Sequence, residues 1–277
     1  YIYSWNTITY SEGSHDLKAR AYDNAGNIGE SPIIRVNVNK MVKVLVIRSD
    51  TPGSYFYGSW VNSYNEAYNC MLQSPYISAE IVSDTDIASD PSILDEFEVL
   101  LIPDNGPSDA AVSIITDWYN TGKGIVAVDS GACFLNYAIF TPGDNGLYDW
   151  WKYAVDTLKI LSSHYITQDY SVGWEKEVDT VAPDEAYYFK NIIQPISGMT
   201  LLAQQIDNPD NIAIFAYEGT NYKRIVFVGP NDIFDPELDN LMIRACLWAG
   251  KAEISGPVKS RTRVQTQKPG VRTRQGK

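Results

Sequence analysis

The stretch TGKGIVAVDSGACFLNY, residues 121–137, decides the fold. Its apolar residues 125–128 form a short continuous run, which is typical of a strand buried on both faces of a sheet. The small residues Asp129, Ser130 and Gly131 follow as a sharp turn, and the apolar spacing after them is helical. A buried strand that passes through a tight turn into a helix is a repeating unit of α/β proteins.

The same turn is a candidate catalytic site, because a strained strand-to-helix turn can display a nucleophile at the edge of a sheet. Ser130 and Cys133 are the two candidate nucleophiles. Either would need a nearby base, and His164 is the only histidine between residues 41 and 251. Catalytic groups meet in space rather than in sequence, so a Cys133–His164 pair remains open as an alternative.

Short apolar runs alternate with helical patterns from Val42 onward. The runs are VKVLVIRSD, AEIVS, FEVLLIPD, GIVAVD, MTLLAQQ, NIAIFAYE and KRIVFVGPND. Their order predicts an α/β domain over residues 41–251, with a doubly wound, mostly parallel, flavodoxin-like sheet covered on both faces.

Three helices of this domain carry clear signals. The first has one apolar face, made by Trp60, Tyr64, Ala67, Tyr68, Met71 and Leu72. The second begins after Ser108 and ends at Gly122. The third has Asp235 as its cap and Pro236 in its first turn, and it ends at Gly250.

Residues 1–40 are predicted to be all-β. Leu17, Ala19 and Ala21 alternate with polar residues, and a second alternation runs through Ile34, Val36 and Val38. An acidic turn at residues 23–27 separates the two runs. We therefore expect a hairpin with one apolar inner face.

The piece EGSHDLKARAYDNAGNIGES, followed by a valine-rich strand, resembles the last strands of bacterial and archaeal immunoglobulin-like domains in secreted and cell-surface proteins. A complete sandwich of that kind has about seven strands, and the segment supplies about three. We therefore expect a partial immunoglobulin-like segment, whose other strands come from upstream sequence or from another chain.

Residues 42–250 resemble the class I glutamine amidotransferase-like superfamily. The resemblance rests on VKVLVIRSD, on the stretch from ILDEFEVLLIPD to GACFLNY, and on the closing RIVFVGPNDIFDPELDNLMIRACLWAG. Catalytic members place a cysteine directly after the elbow strand and a histidine after the last strand. Here Asp129 stands at the nucleophile position, and Gly229-Pro230-Asn231-Asp232 follows the last strand without a histidine. The resemblance thus implies a non-catalytic domain, with a cysteine-dependent hydrolase or amidotransferase using Cys133 and His164 as the alternative.

Four aspartates, Asp50, Asp104, Asp129 and Asp232, each follow a predicted strand. Ligands bind at the carboxyl ends of strands in open α/β sheets, so these carboxylates predict a ligand or calcium crevice. The competing interpretation is that each aspartate caps a helix or a turn. Asp23, Asn24 and Asn27 could likewise hold calcium at the hairpin tip or form a solvated turn. No cofactor is required by either interpretation.

Aromatic residues concentrate in segments expected near the same edge of the sheet. They predict loop packing, a protein interface or a glycan-binding surface, and comprise Tyr55, Phe56, Tyr57, Trp60, Tyr148, Trp150, Trp151, Tyr153, Tyr187 and Tyr188.

Charge and composition limit the classes of molecule that the chain could bind. The net charge is −12, although residues 254–277 carry seven Lys and Arg and no acid. The body is therefore too acidic to bind nucleic acid, and residues 252–277 are predicted to be a basic tail that is disordered alone. No run is long and apolar enough for a membrane span. The three cysteines lack zinc spacing.

These observations favour an extracellular or cell-surface module without catalytic activity. We expect it to bind other protein chains through strand addition and through the basic tail, and a polymer or surface layer is one assembly that such contacts could build.

Overall fold

A computed structural model describes residues 13–38, 41–50, 63–103, 106–140, 148–152, 155–179, 185–190, 196–230, 234–254 and 258 of the 277. The chain divides into two compact units, Tyr1–Met41 and Val42–Lys277. The division lies next to the boundary predicted between residues 40 and 41.

Residues 13–38 of the N-terminal unit form four short strands: β1 (Gly13–Leu17), β2 (Arg20–Tyr22), β3 (Ile28–Glu30) and β4 (Ile34–Val38). Strands β2 and β3 pair antiparallel around the turn at residues 23–27, where Gly26 has a φ of 83°. Strands β1 and β4 pair antiparallel outside them. The predicted hairpin and its turn are confirmed.

The predicted inner face of this unit is wrong for the described residues. Leu17, Ala19, Ala21 and Ile34 are all exposed, and Ile34 keeps 63% of its surface accessible. Two separate two-stranded sheets are too small to enclose a core, which takes three or more strands with a shared apolar face. The immunoglobulin-like resemblance remains a prediction.

The α/β unit is built from eleven further strands among the described residues. They are β5 (Val42–Arg48), β6 (Ile77–Ser83), β7 (Val99–Ile102), β8 (Gly124–Val128), β9 (Tyr148–Lys152), β10 (Val155–Ile160), β11 (Glu175–Asp179), β12 (Glu185–Lys190), β13 (Met199–Gln205), β14 (Asn211–Glu218) and β15 (Arg224–Val228).

Helices cover the sheet. The α-helices are α1 (Tyr64–Met71), α2 (Asp84–Ser89), α3 (Asp109–Asn120), α4 (Gly131–Phe134) and α5 (Asp239–Ala249). In the part of the unit that the structure describes, 3₁₀ helices span Pro91–Glu96 and Thr220–Tyr222, and a π-helix spans Leu135–Phe140 directly after α4.

The sheet is mixed. Strands run parallel in the order β6-β5-β7-β8-β15, and an antiparallel half continues as β14-β13-β10-β11, with β12 joining β14 to β9. The predicted α/β, flavodoxin-like architecture is confirmed. The parallel strands are those of the half that contains β8. All seven apolar runs identified in the sequence contain a strand.

Two apolar cores lie on opposite faces of the sheet, because successive strand residues point to opposite sides. Val126 and Val128 face the core that contains α1 and α5. Ile125 and Ala127 face the core that contains α2, α3 and α4. Every side chain of β8 is buried, as its continuous apolar run predicts.

The predicted helices are found with small shifts. Helix α3 follows Ser108 and ends before Gly122, whose φ is 95°. Helix α5 ends at Gly250 but begins at Asp239, because Asp235 closes a separate turn by accepting hydrogen bonds from the Glu237 and Leu238 amides. In the first helix, the prediction that Leu72 faces inward is wrong, since Leu72 is exposed.

The start of the predicted tail packs against the α/β unit. Ala252 and Ile254 contact the α5-side core, and Val258 belongs to that core, being 3% exposed. The Ile254 amide donates to the Tyr165 hydroxyl at 3.0 Å. Residues 259–277, which hold all seven basic residues of the predicted tail, lie outside the described residues. Within the described residues, no helix has the length and apolar character needed to cross a membrane.

Candidate functional site

The turn between β8 and α4 is a strained elbow with Asp129 at its tip. Asp129 has a φ of 49°, which is uncommon for a residue with a side chain and points to an imposed geometry. Its amide donates to the Val228 carbonyl at 2.9 Å, which ties the elbow to β15. Its own carbonyl accepts from the Ala132 amide at 2.9 Å. The residue at the elbow tip is therefore held by two backbone hydrogen bonds.

The elbow presents no accessible nucleophile. Asp129 and Ser130 are fully buried, and Cys133 is 2% exposed. Cys133 belongs to the core on the α3 side of the sheet, one helical turn beyond the tip. A substrate could reach these groups only after the core opened.

His164 lies elsewhere in the unit. Its ring packs edge-on against Trp248, with ring centroids 5.3 Å apart, and its Nδ1 accepts from the Ile166 amide at 3.2 Å. The Trp248 carbonyl in turn accepts from Arg224, the first residue of β15. Partial burial lowers the pKa of His164 below its ordinary value.

The structure does not bring Cys133 and His164 together. Trp248 belongs to the α5-side core and Cys133 to the α3-side core, so the sheet lies between them. Cys133 and His164 also lie at opposite ends of the parallel strands, since Cys133 follows the end of β8 and His164 lies near the start of β15. Strand β8 has five residues and is roughly 16 Å long. The pair required by the enzymatic alternative is not formed.

Asp50, at the carboxyl end of β5, already has a cationic partner. The Arg48 guanidinium donates to both carboxylate oxygens, at 2.7 and 3.0 Å, and the Thr85 hydroxyl donates at 3.2 Å. These hydrogen bonds, the Arg48 bond above all, lower the pKa of Asp50. Asp104 and Asp232 lie outside the described residues, so the four-aspartate crevice remains a prediction in that part.

Asp84 is a further acid at the edge of the sheet where the parallel strands end, and it was not among the residues predicted from the sequence. It follows β6 directly, is fully buried, and accepts hydrogen bonds from the Asp50 amide at 3.1 Å and the Ser108 amide at 2.9 Å. It thereby joins the loops after β5 and β6 to the start of α3. The signal was present, since an aspartate after the run AEIVS fits the same rule as the other four.

The candidate calcium ligands stay a prediction, because Asp104 and Asp232 lie outside the described residues. No group of three or more His, Cys, Asp or Glu side chains lies close enough to hold a metal ion within those residues. At the hairpin tip, the Asp23 carboxylate accepts from the Ala25 and Asn27 amides and from the Asn27 side chain, at 2.8 to 2.9 Å. Asp23, Asn24 and Asn27 thus fit the solvated-turn interpretation.

The aromatic surface is only partly described. In the backbone register of the β9–β12 pair, Trp150 lies opposite Tyr187 and Trp151 lies opposite Ala186. Tyr55, Phe56, Tyr57, Trp60 and Tyr153 fall outside the described residues. The glycan-binding hypothesis therefore stays a prediction.

Comparison with known proteins shows a fold. No family model matches the chain, and no curated protein matches it by sequence. A ThuA-like protein from Bacteroides uniformis matches with a TM-score of 0.54 and 12% identity over 79% of this chain and 95% of its own. A ThuA-like protein from Parabacteroides merdae matches with a TM-score of 0.53 and 10% identity over 79% and 93%.

A glutamine amidotransferase from Thermotoga maritima also matches, with a TM-score of 0.46 and 9% identity over 76% of this chain and 99% of its own. At such identities a likeness concerns the fold alone. The α/β unit accordingly shares its fold with the two ThuA-like proteins.

Proposed function

We propose that the chain is a non-catalytic module that binds other protein chains. The observation that carries this proposal is the burial of the whole elbow, from Asp129 at its tip to Cys133 in α4. Acyl transfer needs a nucleophile that substrate can reach and a base within hydrogen-bond reach of it. The elbow supplies neither among the described residues.

The exposed apolar residues of the N-terminal unit support a role in binding. Leu17 lies opposite Ile34 across the β1–β4 pair, and Tyr22 lies opposite Ile28 across the β2–β3 pair. All four are exposed. Apolar cross-strand pairs left in water are a common sign of a surface that a partner covers.

The partner that fits this surface is a β-strand or sheet of another copy of the chain. Strand addition would widen the two-stranded sheets, and a partner sheet packed on their face would cover the exposed pairs, which the described strands leave accessible. An extracellular or cell-surface location belongs to the same proposal. Its support is the resemblance of residues 12–38 to immunoglobulin-like strands of secreted proteins.

Sedimentation velocity over a hundredfold concentration range tests the proposal. The wild-type chain should self-associate as concentration rises, and Ile34→Lys should shift the midpoint to higher concentration by about tenfold or more, because it places a charge in the apolar contact. Val172→Lys is the matched control, since Val172 is equally exposed but lies in the α/β unit. A chain that stays monomeric throughout, or an Ile34→Lys variant that associates like wild type, would contradict the proposal.

A further inference from the structure

A cavity of about 200 Å³ lies on the α3 side of the sheet, away from the elbow. Its lining comes from the end of α3, the end of the π-helix, and the connection from β14 to β15. The lining residues are Thr116, Tyr119, Asn120, Ala138, Ile139, Phe140, Tyr217, Thr220 and Lys223. Because α3 ends just before β8 begins, the cavity lies at the edge of the sheet opposite Asp129.

Aromatic rings form much of the wall. Phe140 and Tyr217 pack edge to face, with centroids 5.1 Å apart and an interplanar angle of 90°. Tyr119, a buried residue of α3, contributes a third ring to the lining. Phe140 is the last residue of the π-helix, a conformation that is rare and often found at functional sites. The wall offers ring edges and faces at the distances that aromatic pairs favour.

The Lys223 side chain places a cation beside these rings. The Lys223 ammonium lies 5.4 Å from the centroid of Tyr119 and donates to the Asn120 side-chain oxygen at 2.7 Å. None of the described lining residues is Asp or Glu, and the nearby Glu218 pairs with Arg224 instead. An ammonium has three donors, so Lys223 can bind an anion while it keeps its bond to Asn120.

The volume limits the size of the ligand. A cavity of about 150 Å³ holds a benzene ring, whereas drug-sized ligands occupy about 300 Å³ or more. A space of about 200 Å³ thus fits one six-membered ring with a small substituent. Asn120 and Thr220, both exposed, mark the mouth through which such a molecule would enter.

We propose that this cavity binds a small aromatic carboxylate, with its ring between Tyr119 and the Phe140–Tyr217 pair and its carboxylate on Lys223. The hydroxyl and carboxamide groups of Thr220 and Asn120 supply further polar contacts at the mouth. The site is separate from the elbow, and it would give the proposed binding module a small-molecule ligand besides a protein partner.

Titration of the ¹⁵N-labelled full chain at constant ionic strength tests the proposal with three probes: benzoate, its neutral analogue benzamide, and acetate. Benzoate should bind at least about tenfold more tightly than either, because only benzoate uses both the rings and the cation. Its amide shifts should centre on Ile139 and Thr220. Equal affinities for benzoate and benzamide, or no saturable binding of benzoate, would overturn the proposal.

Variants separate the charge from the cavity. Lys223→Gln should weaken benzoate about tenfold and leave benzamide unchanged, and Lys223→Arg should stay within about threefold of wild type. Ala138→Leu should weaken both ring probes by narrowing the cavity. Lys159→Gln, on the exposed face of β10, is the matched control and should change nothing. If Lys223→Gln binds benzoate like wild type, the assigned anion contact is wrong.

Discussion

The ion pair between Arg244 and Asp169 gives the sharpest prediction about stability. Arg244 lies in α5 with 1% of its side chain exposed, and it donates to both oxygens of Asp169 at 2.7 and 3.1 Å. Its guanidinium also stacks 5.2 Å from the ring centroid of Tyr165. The pair fastens the segment after β10 to the helix that covers the centre of the sheet.

The two halves of the pair differ in their access to water. Asp169 keeps 24% of its side chain exposed, so water can hydrate its carboxylate if Arg244 is removed. The guanidinium has no such access if Asp169 is neutralised. Breaking a fully buried pair costs about 3–5 kcal/mol, and the partial exposure of Asp169 reduces this to about 2 kcal/mol for Asp169→Asn. Arg244→Met removes the buried charge and fills the space, so its cost should be about 1 kcal/mol or less.

Urea denaturation at neutral pH, followed by tryptophan fluorescence, measures both free energies of unfolding. Lys159→Gln is the control, because it breaks a solvent-accessible ion pair between Lys159 of β10 and Glu175 of β11 and should cost less than about 0.5 kcal/mol. Asp169→Asn must be the most destabilising of the three. An Asp169→Asn variant as stable as the Lys159→Gln control, or less destabilised than Arg244→Met, would refute the reasoning.

Two further predictions concern the edge of the sheet where the parallel strands begin. Burial lowers the pKa of His164 in the folded state. As pH falls below about 6.5, the unfolded state therefore binds a proton before the folded state does. The free energy of unfolding then decreases until the pH reaches the lower pKa of the folded state. Between pH 7.5 and 5.5, the melting temperature of His164→Gln should therefore fall less than that of wild type. His15→Gln is the control, and an equal fall for His164→Gln and wild type would contradict the prediction. Gly124→Ala should destabilise the α/β unit by about 2 kcal/mol, because an added Cβ would lie 2.4 Å from the Ala249 carbonyl oxygen. Gly29→Ala, with open space around its Cβ position, should cost less than about 0.5 kcal/mol, and similar losses in chemical denaturation would count against the packing argument.

The elements that could be predicted from sequence are those with strong local signals. Continuous apolar runs identified all seven predicted strands, and Gly122 and Gly250 marked two helix ends. Four strands of the antiparallel half, β9 to β12, were less visible, because their sequences are mostly polar or aromatic and contain no continuous apolar run. Their pairing depends on neighbours that are distant in sequence.

The elbow could be located from the sequence, but the positions of the candidate catalytic residues around it could not be predicted. The run into Asp129 predicted the turn, and the absence of a histidine after β15 predicted an incomplete catalytic set. The positions of Cys133 and His164 on opposite faces depend on which core each segment joins, and no local pattern records this. The cavity near Lys223 was also invisible, because its walls come from three separate segments.

The reactivity of Cys133 in the native chain tests the central claim most directly. Alkylation by iodoacetamide at pH 7.5, resolved by peptide mass spectrometry, compares it with Cys70 and Cys246, whose pKa values burial raises. Cys133 should react at least about a hundredfold more slowly in the native chain than in urea, and His164→Gln should leave its rate unchanged. Native alkylation of Cys133 as fast as in urea, or slowed by His164→Gln, would show an accessible, activated thiol and contradict the account.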